Sequence, residues 1–221
     1  MSIWEKYGLS ALSNKALVCF LAIAAPAQAD VHLLALGDSL TQGYGLIEQD
    51  GFVPQLRGWL ADQGHTVRVV NGGVSGDTTA GGLARVEWAL TPEINGMIVA
   101  LGGNDVLRGI DPDVVHANLE GILQIADSKG IEVLLVGMRA PGNFGAEYQT
   151  QFDAIYPELA QSYDTEYLEN FFAGLSPNGE TPAELAAFMQ PDGIHPNAEG
   201  VVKIVATIGP KVEDLIARIA D

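Results

Sequence analysis

The chain has 221 residues, with 11 lysine and arginine side chains against 28 aspartate and glutamate side chains, and its formal net charge is −17. This charge argues against nucleic-acid binding, which needs lysine and arginine opposite phosphates, and it opposes docking on an anionic membrane or an acidic carrier protein. Cys19 is the only cysteine, so a disulfide within the chain is excluded.

The first 29 residues have the pattern of a secretory signal peptide. Lys6 and Lys15 precede an apolar run at 16–25, and the small-x-small pattern Ala27-Gln28-Ala29 follows it. The run is shorter than the roughly 20 residues that a membrane-spanning helix needs. Cys19 raises the alternative of a lipoprotein anchor, but the bulky Val18 precedes it and the small-residue site follows it. An uncleaved anchor is the other alternative.

Cleavage near Ala29 predicts a periplasmic or secreted protein made of residues 30–221. Removing residues 1–29, with two lysines and one glutamate, changes the net charge from −17 to −18 and removes Cys19. The remaining length is ample for one hydrophobic core and short for two, which favours a single domain. We expect a monomer with no obligatory protein partner.

Short apolar runs alternate with amphipathic segments along this domain. Strands are predicted at 32–36, 67–70, 97–101 and 133–136, with a weaker one at 165–168, and helices at 52–62, 78–90, 112–128, 148–162, 182–189 and 197–219. Continuous apolar strands that alternate with helices are typical of a parallel sheet covered on both faces. Pro210 predicts that the last helix kinks or restarts there.

Four polar segments follow these elements. Gly37-Asp38-Ser39 comes after the first strand, Val74-Ser75-Gly76-Asp77 after the second and Gly102-Gly103-Asn104-Asp105 after the third. The fourth, Asp192-Gly193-Ile194-His195-Pro196-Asn197, precedes the last helix. Because ligand sites of open α/β sheets lie at the carboxyl ends of the strands, we expect all four segments at one edge.

The residue types in these segments suit acyl transfer. Ser39 is the predicted nucleophile, His195 the base that takes its proton, and Asp192 the acid that orients the imidazole. The sequence also allows simpler roles, since Ser39 suits a helix N-cap and Asp192 an Asx turn beside a surface histidine. The occurrence of all four segments in one chain favours the catalytic interpretation.

Gly76 and Asn104 are the predicted donors to an oxyanion, together with the backbone N–H of Ser39. Taken singly, Gly76 and Asn104 suit ordinary turns equally well. Asp38 is predicted to accept a hydrogen bond that shapes the turn. Asp77 and Asp105 are predicted to support the loops.

Other catalytic and binding motifs are missing. Gly37 and Thr41 flank Ser39 at two residues, so the G-x-S-x-G elbow is absent. The chain contains no phosphate-binding G-x-x-x-x-G-K-[ST] loop, and no dinucleotide-binding G-x-G-x-x-G follows the first strand. Asp192 and His195 would supply two metal ligands at most, so we predict no metal and no cofactor.

The combination resembles the SGNH (GDSL) hydrolase superfamily, which is named after the residue types of Ser39, Gly76, Asn104 and His195. The spacing is similar to that of its bacterial periplasmic thioesterase I, lysophospholipase and arylesterase branch. Further similarity covers 69–71, 103–109 and 154–160.

This resemblance implies a three-layer α/β/α, flavodoxin-like fold with a five-stranded parallel sheet. It also implies a triad of Ser39, Asp192 and His195, oxyanion donors from Ser39, Gly76 and Asn104, and hydrolysis without metal or organic cofactor. Asn71-Gly72-Gly73 contains more glycine than is usual in the branch, from which we expect a looser loop.

The function predicted from the sequence is an exported serine ester hydrolase that acts on a small acyl ester or lipid. Aryl esters, lysophospholipids and acyl thioesters are the substrate classes that the resemblance implies. Two alternatives remain at this stage. One is a carbohydrate esterase that deacetylates envelope glycans, and the other is a non-catalytic, flavodoxin-like binding module.

Overall fold

In the computed structural model, residues 30–176 and 185–220 are described. The predicted signal peptide 1–29 and the first part of the predicted helix 182–189 lie outside this range. The five strands are β1 (Val31–Gly37), β2 (Val67–Gly73), β3 (Gly96–Ala100), β4 (Glu132–Val136) and β5 (Glu166–Leu168). All neighbouring pairs are parallel, in the order β2-β1-β3-β4-β5. The predicted five-stranded parallel sheet is confirmed.

Helices cover both faces of this sheet. They are α1 (Ser39–Gln42), α2 (Phe52–Asp62), α3 (Thr79–Ala89), α4 (Gly103–Leu107), α5 (Pro112–Ser128), α6 (Ala146–Ser162) and α7 (Ala198–Ala220), with 3-10 turns at Glu48–Asp50, Gly142–Phe144 and Ala173–Leu175. α2 packs with α7 on one side, whereas α3, α5 and α6 pack with one another on the other. This is the predicted three-layer α/β/α arrangement.

The apolar runs of the sequence form the middle layer. Every residue of β3 is buried, and Leu36 in β1 and Leu135 in β4 are fully inaccessible to solvent. Burying a side chain of this size stabilises a fold by about 1.5–3 kcal/mol. Coverage of both faces explains why these strands are continuously apolar rather than alternating.

The glycines at 72 and 73 do not form the looser loop expected from the sequence. Gly72 and Gly73 belong to β2 and pair with Leu36 and Gly37 of β1. A Cβ atom at Gly73 would overlap the backbone nitrogen of Gln42 in α1. That expectation is wrong because glycine here permits α1, the helix that begins with Ser39, to pack directly on the end of β2.

The last helix continues through Pro210 and does not restart there. α7 runs unbroken from Ala198 to Ala220. Its buried residues on both sides of the proline, among them Ile208 and Val212, pack on the core. A proline inside a helix costs about 3 kcal/mol, and the apolar face that continues past Pro210 offsets this cost.

The four polar segments meet at the carboxyl edge of the sheet, as expected. β1 ends two residues before Ser39, β2 ends three residues before Gly76, and β3 ends four residues before Asn104. The Asp192–Asn197 segment precedes α7 and is closed by an antiparallel bridge between Met189 and Pro196.

Candidate active site

The structure brings Ser39, His195 and Asp192 into one chain of hydrogen bonds. Ser39 Oγ lies 2.9 Å from His195 Nε2, and His195 Nδ1 lies 2.7 Å from Asp192 Oδ2. A hydroxyl, an imidazole and a carboxylate in this order can move a proton off the hydroxyl and stabilise the imidazolium that results. The contact joins residues 156 positions apart in the sequence.

Asp192 is organised by its own loop. Its Oδ1 accepts hydrogen bonds from the backbone N–H groups of Ile194, at 2.9 Å, and His195, at 3.0 Å. These bonds and the contact with the His195 ring lower the pKa of Asp192 from 3.8 to about 2. The carboxylate is therefore charged at neutral pH, and the exposure of 38% of its side chain to solvent also favours the charged form.

The predicted oxyanion donors border the same cavity as the triad. A cavity of about 440 Å³ is lined by Ser39, Gly76, Asn104 and His195, among others. Gly76 has φ of +81°, and the only atom near a Cβ there would be Arg108 Nη2 at 3.8 Å. Glycine is needed at this position for the backbone conformation rather than for space. Arg108 donates to the Gly76 carbonyl oxygen at 2.8 Å and holds the turn.

Asp38 does more than shape the turn. Its Oδ1 accepts from the Leu40 backbone N–H at 2.9 Å, as predicted, and its Oδ2 accepts from Asn104 Nδ2 at 3.0 Å. An amide NH₂ has two hydrogens, so this bond fixes Asn104 and leaves the second hydrogen for an oxyanion. Asp38 is 1% exposed, and burial raises its pKa to about 6 despite both hydrogen bonds.

The other acidic residues of the motifs support the loops, as the sequence predicted. Asp77 forms an ion pair with Arg85 at 2.7 Å. The same guanidinium donates to the carbonyl oxygens of Gly72 and Gly37, at 2.8 and 2.9 Å, which joins the ends of β2 and β1. Asp105 is fully buried and accepts from the hydroxyl of Thr79 at 2.6 Å, which holds α4 against α3.

The walls of the cavity are mostly apolar. Its apolar lining consists of Leu40, Val106, Leu107, Met138, Pro141, Phe172 and Ile194, and the further polar lining residues are Tyr44, Ser75, Arg139 and Asn170. A second cavity, of about 720 Å³, shares Asn170, Phe172 and Ile194 with the first. Such walls suit a hydrocarbon chain or an aromatic ring.

Two side chains beside the triad carry no recognisable sequence signal. The ring of Tyr44 lies over the His195 ring, with the centroids 4.7 Å apart and the planes tilted by 38°. Gln190 hydrogen-bonds to the backbone on both sides of the site. Tyr44 and Gln190 both lie in loops and outside the four sequence segments. Their place beside the triad becomes visible only from contacts with residues that are distant in the sequence.

Neither a metal cluster nor a membrane-spanning helix is found in the part of the chain that the structure describes. Residues 30–176 and 185–220 contain no group of three or more His, Cys, Asp or Glu side chains that could hold a metal ion. In the same residues, no helix has both the length and the apolar character to cross a bilayer.

Comparison with known proteins agrees with the geometry. The model of the GDSL-like lipase/acylhydrolase family matches residues 35–202, a span that contains all the site residues described above. The chain belongs to this family. Family membership makes it a hydrolase of the lipase and acylhydrolase type, as the four sequence segments had indicated.

Three similar proteins within this group are named as enzymes that hydrolyse esters or thioesters. The chain is 37% identical to esterase TesA of Pseudomonas aeruginosa, and the match covers 83% of this chain and 89% of the relative. It is 36% identical to the arylesterase of Vibrio mimicus, over 83% and 88% of the two chains. Identity to thioesterase 1/protease 1/lysophospholipase L1 of Escherichia coli K12 is also 36%, over 83% and 84%.

The fold has solved counterparts as well. The crystal structure of TesA superposes with a TM-score of 0.75 at 36% sequence identity, covering 83% of this chain and 99% of the other. AlinE4, an SGNH-hydrolase family esterase, superposes with a TM-score of 0.68 at 40% identity, over 84% and 96%. These relatives favour an ester hydrolase over the glycan deacetylase and the binding module.

Proposed function

We propose that this protein is an exported serine ester hydrolase that cleaves acyl esters through an acyl-enzyme intermediate. The observation that carries the proposal is the hydrogen-bonded chain from Ser39 Oγ through His195 to Asp192. It lies in a cavity that also exposes Gly76 and Asn104. The similarity to enzymes named esterase, arylesterase and thioesterase supports the same reaction class.

In the first step, Ser39 Oγ attacks the carbonyl carbon of the ester. His195 Nε2 takes the hydroxyl proton, and Asp192 stabilises the imidazolium through Nδ1–H. Negative charge develops on the former carbonyl oxygen, where the Ser39 and Gly76 N–H groups and the Asn104 side chain donate.

Collapse of the tetrahedral intermediate breaks the bond to the alkoxy group. His195 returns the proton to the leaving oxygen, and the alcohol departs, which leaves the acyl group on Ser39. Water then attacks this acyl-enzyme with His195 again as base. The carboxylic acid leaves, and Ser39 and His195 regain their initial protonation states.

The cavity and the charge indicate the substrate class. Apolar side chains such as Leu107, Met138 and Phe172 border the space next to Ser39 and suit an aryl or acyl group. Acyl-CoA and acyl-carrier protein are anionic and would be repelled by an exported domain, residues 30–221, of net charge −18. We therefore propose oxygen esters, such as aryl esters and lysophospholipids, as natural substrates, with thioesters cleaved less efficiently.

Export and assembly belong to the same proposal. The pattern of residues 1–29 supports cleavage after Ala29 and a periplasmic or secreted, monomeric domain spanning residues 30–221. Mass spectrometry of the protein recovered from the periplasm or medium should give an N-terminus at Asp30. Retention of residues 1–29 would instead indicate an uncleaved anchor.

The decisive experiment is Ser39→Ala. We expect this variant to fold, to lose labelling by a fluorophosphonate and to lose turnover of p-nitrophenyl acetate or butyrate. Ser128→Ala, which removes a serine on the surface of α5, should label and turn over like the wild type. Wild-type turnover in Ser39→Ala would refute the proposed nucleophile.

A chain-length series would then refine the substrate class. kcat/KM is measured for matched esters and thioesters with acyl groups of two to sixteen carbons, with Ser39→Ala as the blank. A maximum at short aryl esters would indicate an arylesterase. A maximum at eight carbons or more, together with cleavage of lysophospholipid, would indicate a lipid-processing enzyme.

A further inference from the structure

Gln190 makes hydrogen bonds to both halves of the site. Its Nε2 donates to the backbone carbonyl oxygen of Tyr44 at 2.8 Å and to that of Pro196 at 3.0 Å. Tyr44 follows the short helix that begins with Ser39, and Pro196 follows His195. One amide group therefore ties the serine segment to the histidine loop.

The backbone of Gln190 extends this connection within the histidine loop. Its N–H donates to the carbonyl oxygen of His195 at 2.7 Å, and its carbonyl oxygen accepts from Gly193 at 2.9 Å. A side chain at Gly45 would overlap the amide oxygen of Gln190, so the chain beside Tyr44 leaves room for this residue. Both the backbone and the side-chain amide of Gln190 are thus held by hydrogen bonds.

Apart from the ring of Tyr44, which packs on the ring of His195, the remaining polar contacts of Asp192 are local. Asp192 bonds to Ile194 and His195 within three residues of chain. Within residues 30–176 and 185–220, two side-chain hydrogen bonds join the segments 39–45 and 189–197. They are the one between Ser39 and His195 and the one between Gln190 and Tyr44.

We propose that Gln190 is a positioning residue that holds His195 Nε2 within hydrogen-bonding distance of Ser39 Oγ. This inference rests on the proposed function, in which His195 takes the proton of Ser39. The loop carries its own acid, Asp192, so loss of the tie to Tyr44 displaces an intact Asp192–His195 pair as a unit. Misplacing a catalytic group by about 1 Å can cost roughly 100-fold in rate.

Two variants test this role. Gln190→Met keeps an unbranched side chain of similar length without hydrogen-bond donors, and Gln190→Glu keeps the shape while replacing the NH₂ group by an acceptor. Gln55, a residue of α2, provides a matched control. Its Nε2 also donates to a backbone carbonyl oxygen, that of Gln49, at 2.9 Å. Gln55→Met and Gln55→Glu reproduce the same chemical changes away from the triad.

The measurement is steady-state kinetics on a small soluble aryl ester, with kcat expressed per folded molecule from a denaturant unfolding curve. We expect kcat to fall by about 10- to 100-fold in both Gln190 variants, while KM changes by less than about threefold. Both Gln55 variants should keep the wild-type kcat. A purely structural role would reduce the folded fraction and leave kcat per folded molecule unchanged.

Two outcomes would overturn the inference. One is a kcat per folded molecule within about twofold of the wild type in both Gln190 variants. The other is a raised KM at unchanged kcat, which would make Gln190 a substrate contact. Ser39→Ala separates this test from that of the proposed function: if Ser39→Ala is inactive and the Gln190 variants are fully active, only the positioning role fails.

Discussion

Asp38 and Asp192 are carboxylates of the same site in opposite environments. Asp38 is 1% exposed beneath Asn104, and burial raises its pKa to about 6. Asp192 lies in an exposed loop, where hydrogen bonds from His195 and Ile194 lower its pKa to about 2. The charge that assists the base is thus secured by local hydrogen bonds at the surface, whereas the buried carboxyl orients a neutral amide.

The two groups also affect the pH dependence of stability with opposite sign. The folded-state pKa of Asp38 lies above the ordinary value of 3.8, so its contribution to stability is present below 3.8 and is lost as the pH rises through about 6. The pKa of Asp192 lies below 3.8, so its contribution is present above 3.8 and is lost as the pH falls through about 2.

The same substitution, aspartate to asparagine, should therefore have different effects at the two positions. Asp192→Asn should have the larger effect on activity. Its Oδ1 can still accept from Ile194 and His195, but its NH₂ would face His195 Nδ1 and favour the tautomer that cannot accept the proton of Ser39. We expect kcat to fall by up to about 10⁴-fold, in a variant that still folds at pH 7 but is less stable to urea than the wild type, because the stabilised carboxylate is lost. A loss below tenfold would show that the charge of Asp192 does not assist the base.

Asn104→Ala tests the link between the buried carboxyl and the oxyanion. Removal of one such donor costs about 10²- to 10³-fold in kcat. The hydrogen bond from Asn104 also lowers the pKa of Asp38, so its loss should raise that pKa further. Steady-state kinetics would measure the fall in kcat, and NMR titration of the Asp38 carboxyl carbon would measure the rise in its pKa. An unchanged titration would mean that the two side chains are not coupled.

Asp38→Asn should have the smallest effect on activity and the clearest one on stability. We expect kcat to fall by roughly tenfold because Asn104 loses its carboxylate acceptor. The variant cannot ionise, so it avoids the cost of a buried charge at neutral pH. Relative to wild type, its free energy of unfolding in urea should rise by about 3 kcal/mol between pH 3 and pH 8.

Asp192→Asn is the matched control for that stability measurement, because it removes an exposed carboxylate and should not gain stability as the pH rises. If both variants gained stability equally above pH 6, the difference in burial between the two carboxylates would not govern their titration.

The sequence predicted the elements well where the signal is local. The helix predictions at 52–62 and 112–128 coincide with α2 and α5, because amphipathic spacing and the Asp111-Pro112 start of α5 lie within the segments themselves. The prediction of a looser loop failed at Gly73, where glycine is needed because α1, a different element, packs against the end of β2. The restart predicted as one alternative at Pro210 is not found for the same reason, because packing of α7 on the core outweighs the local penalty of the proline.

At the site, too, features with a local sequence signal were predicted and features that depend on tertiary contacts were not. Ser39, Asp192 and His195 were predicted from residue types and converge in the structure. The double role of Asp38 was not predicted, because its burial and its bond to Asn104, which is 66 residues away in the sequence, depend on the tertiary fold. Tyr44 and Gln190 gave no signal, since the partner of Gln190 is 146 residues away in the sequence.

The separation of 156 residues between Ser39 and His195 also has a consequence for folding. The nucleophile lies at the end of the first strand, whereas the base lies on the segment that enters the last helix. Contacts of such long range carry the largest loop-closure cost and form slowly. Recovery of hydrolysis during refolding will therefore report the docking of the C-terminal segment, and circular dichroism will register the sheet before any activity returns.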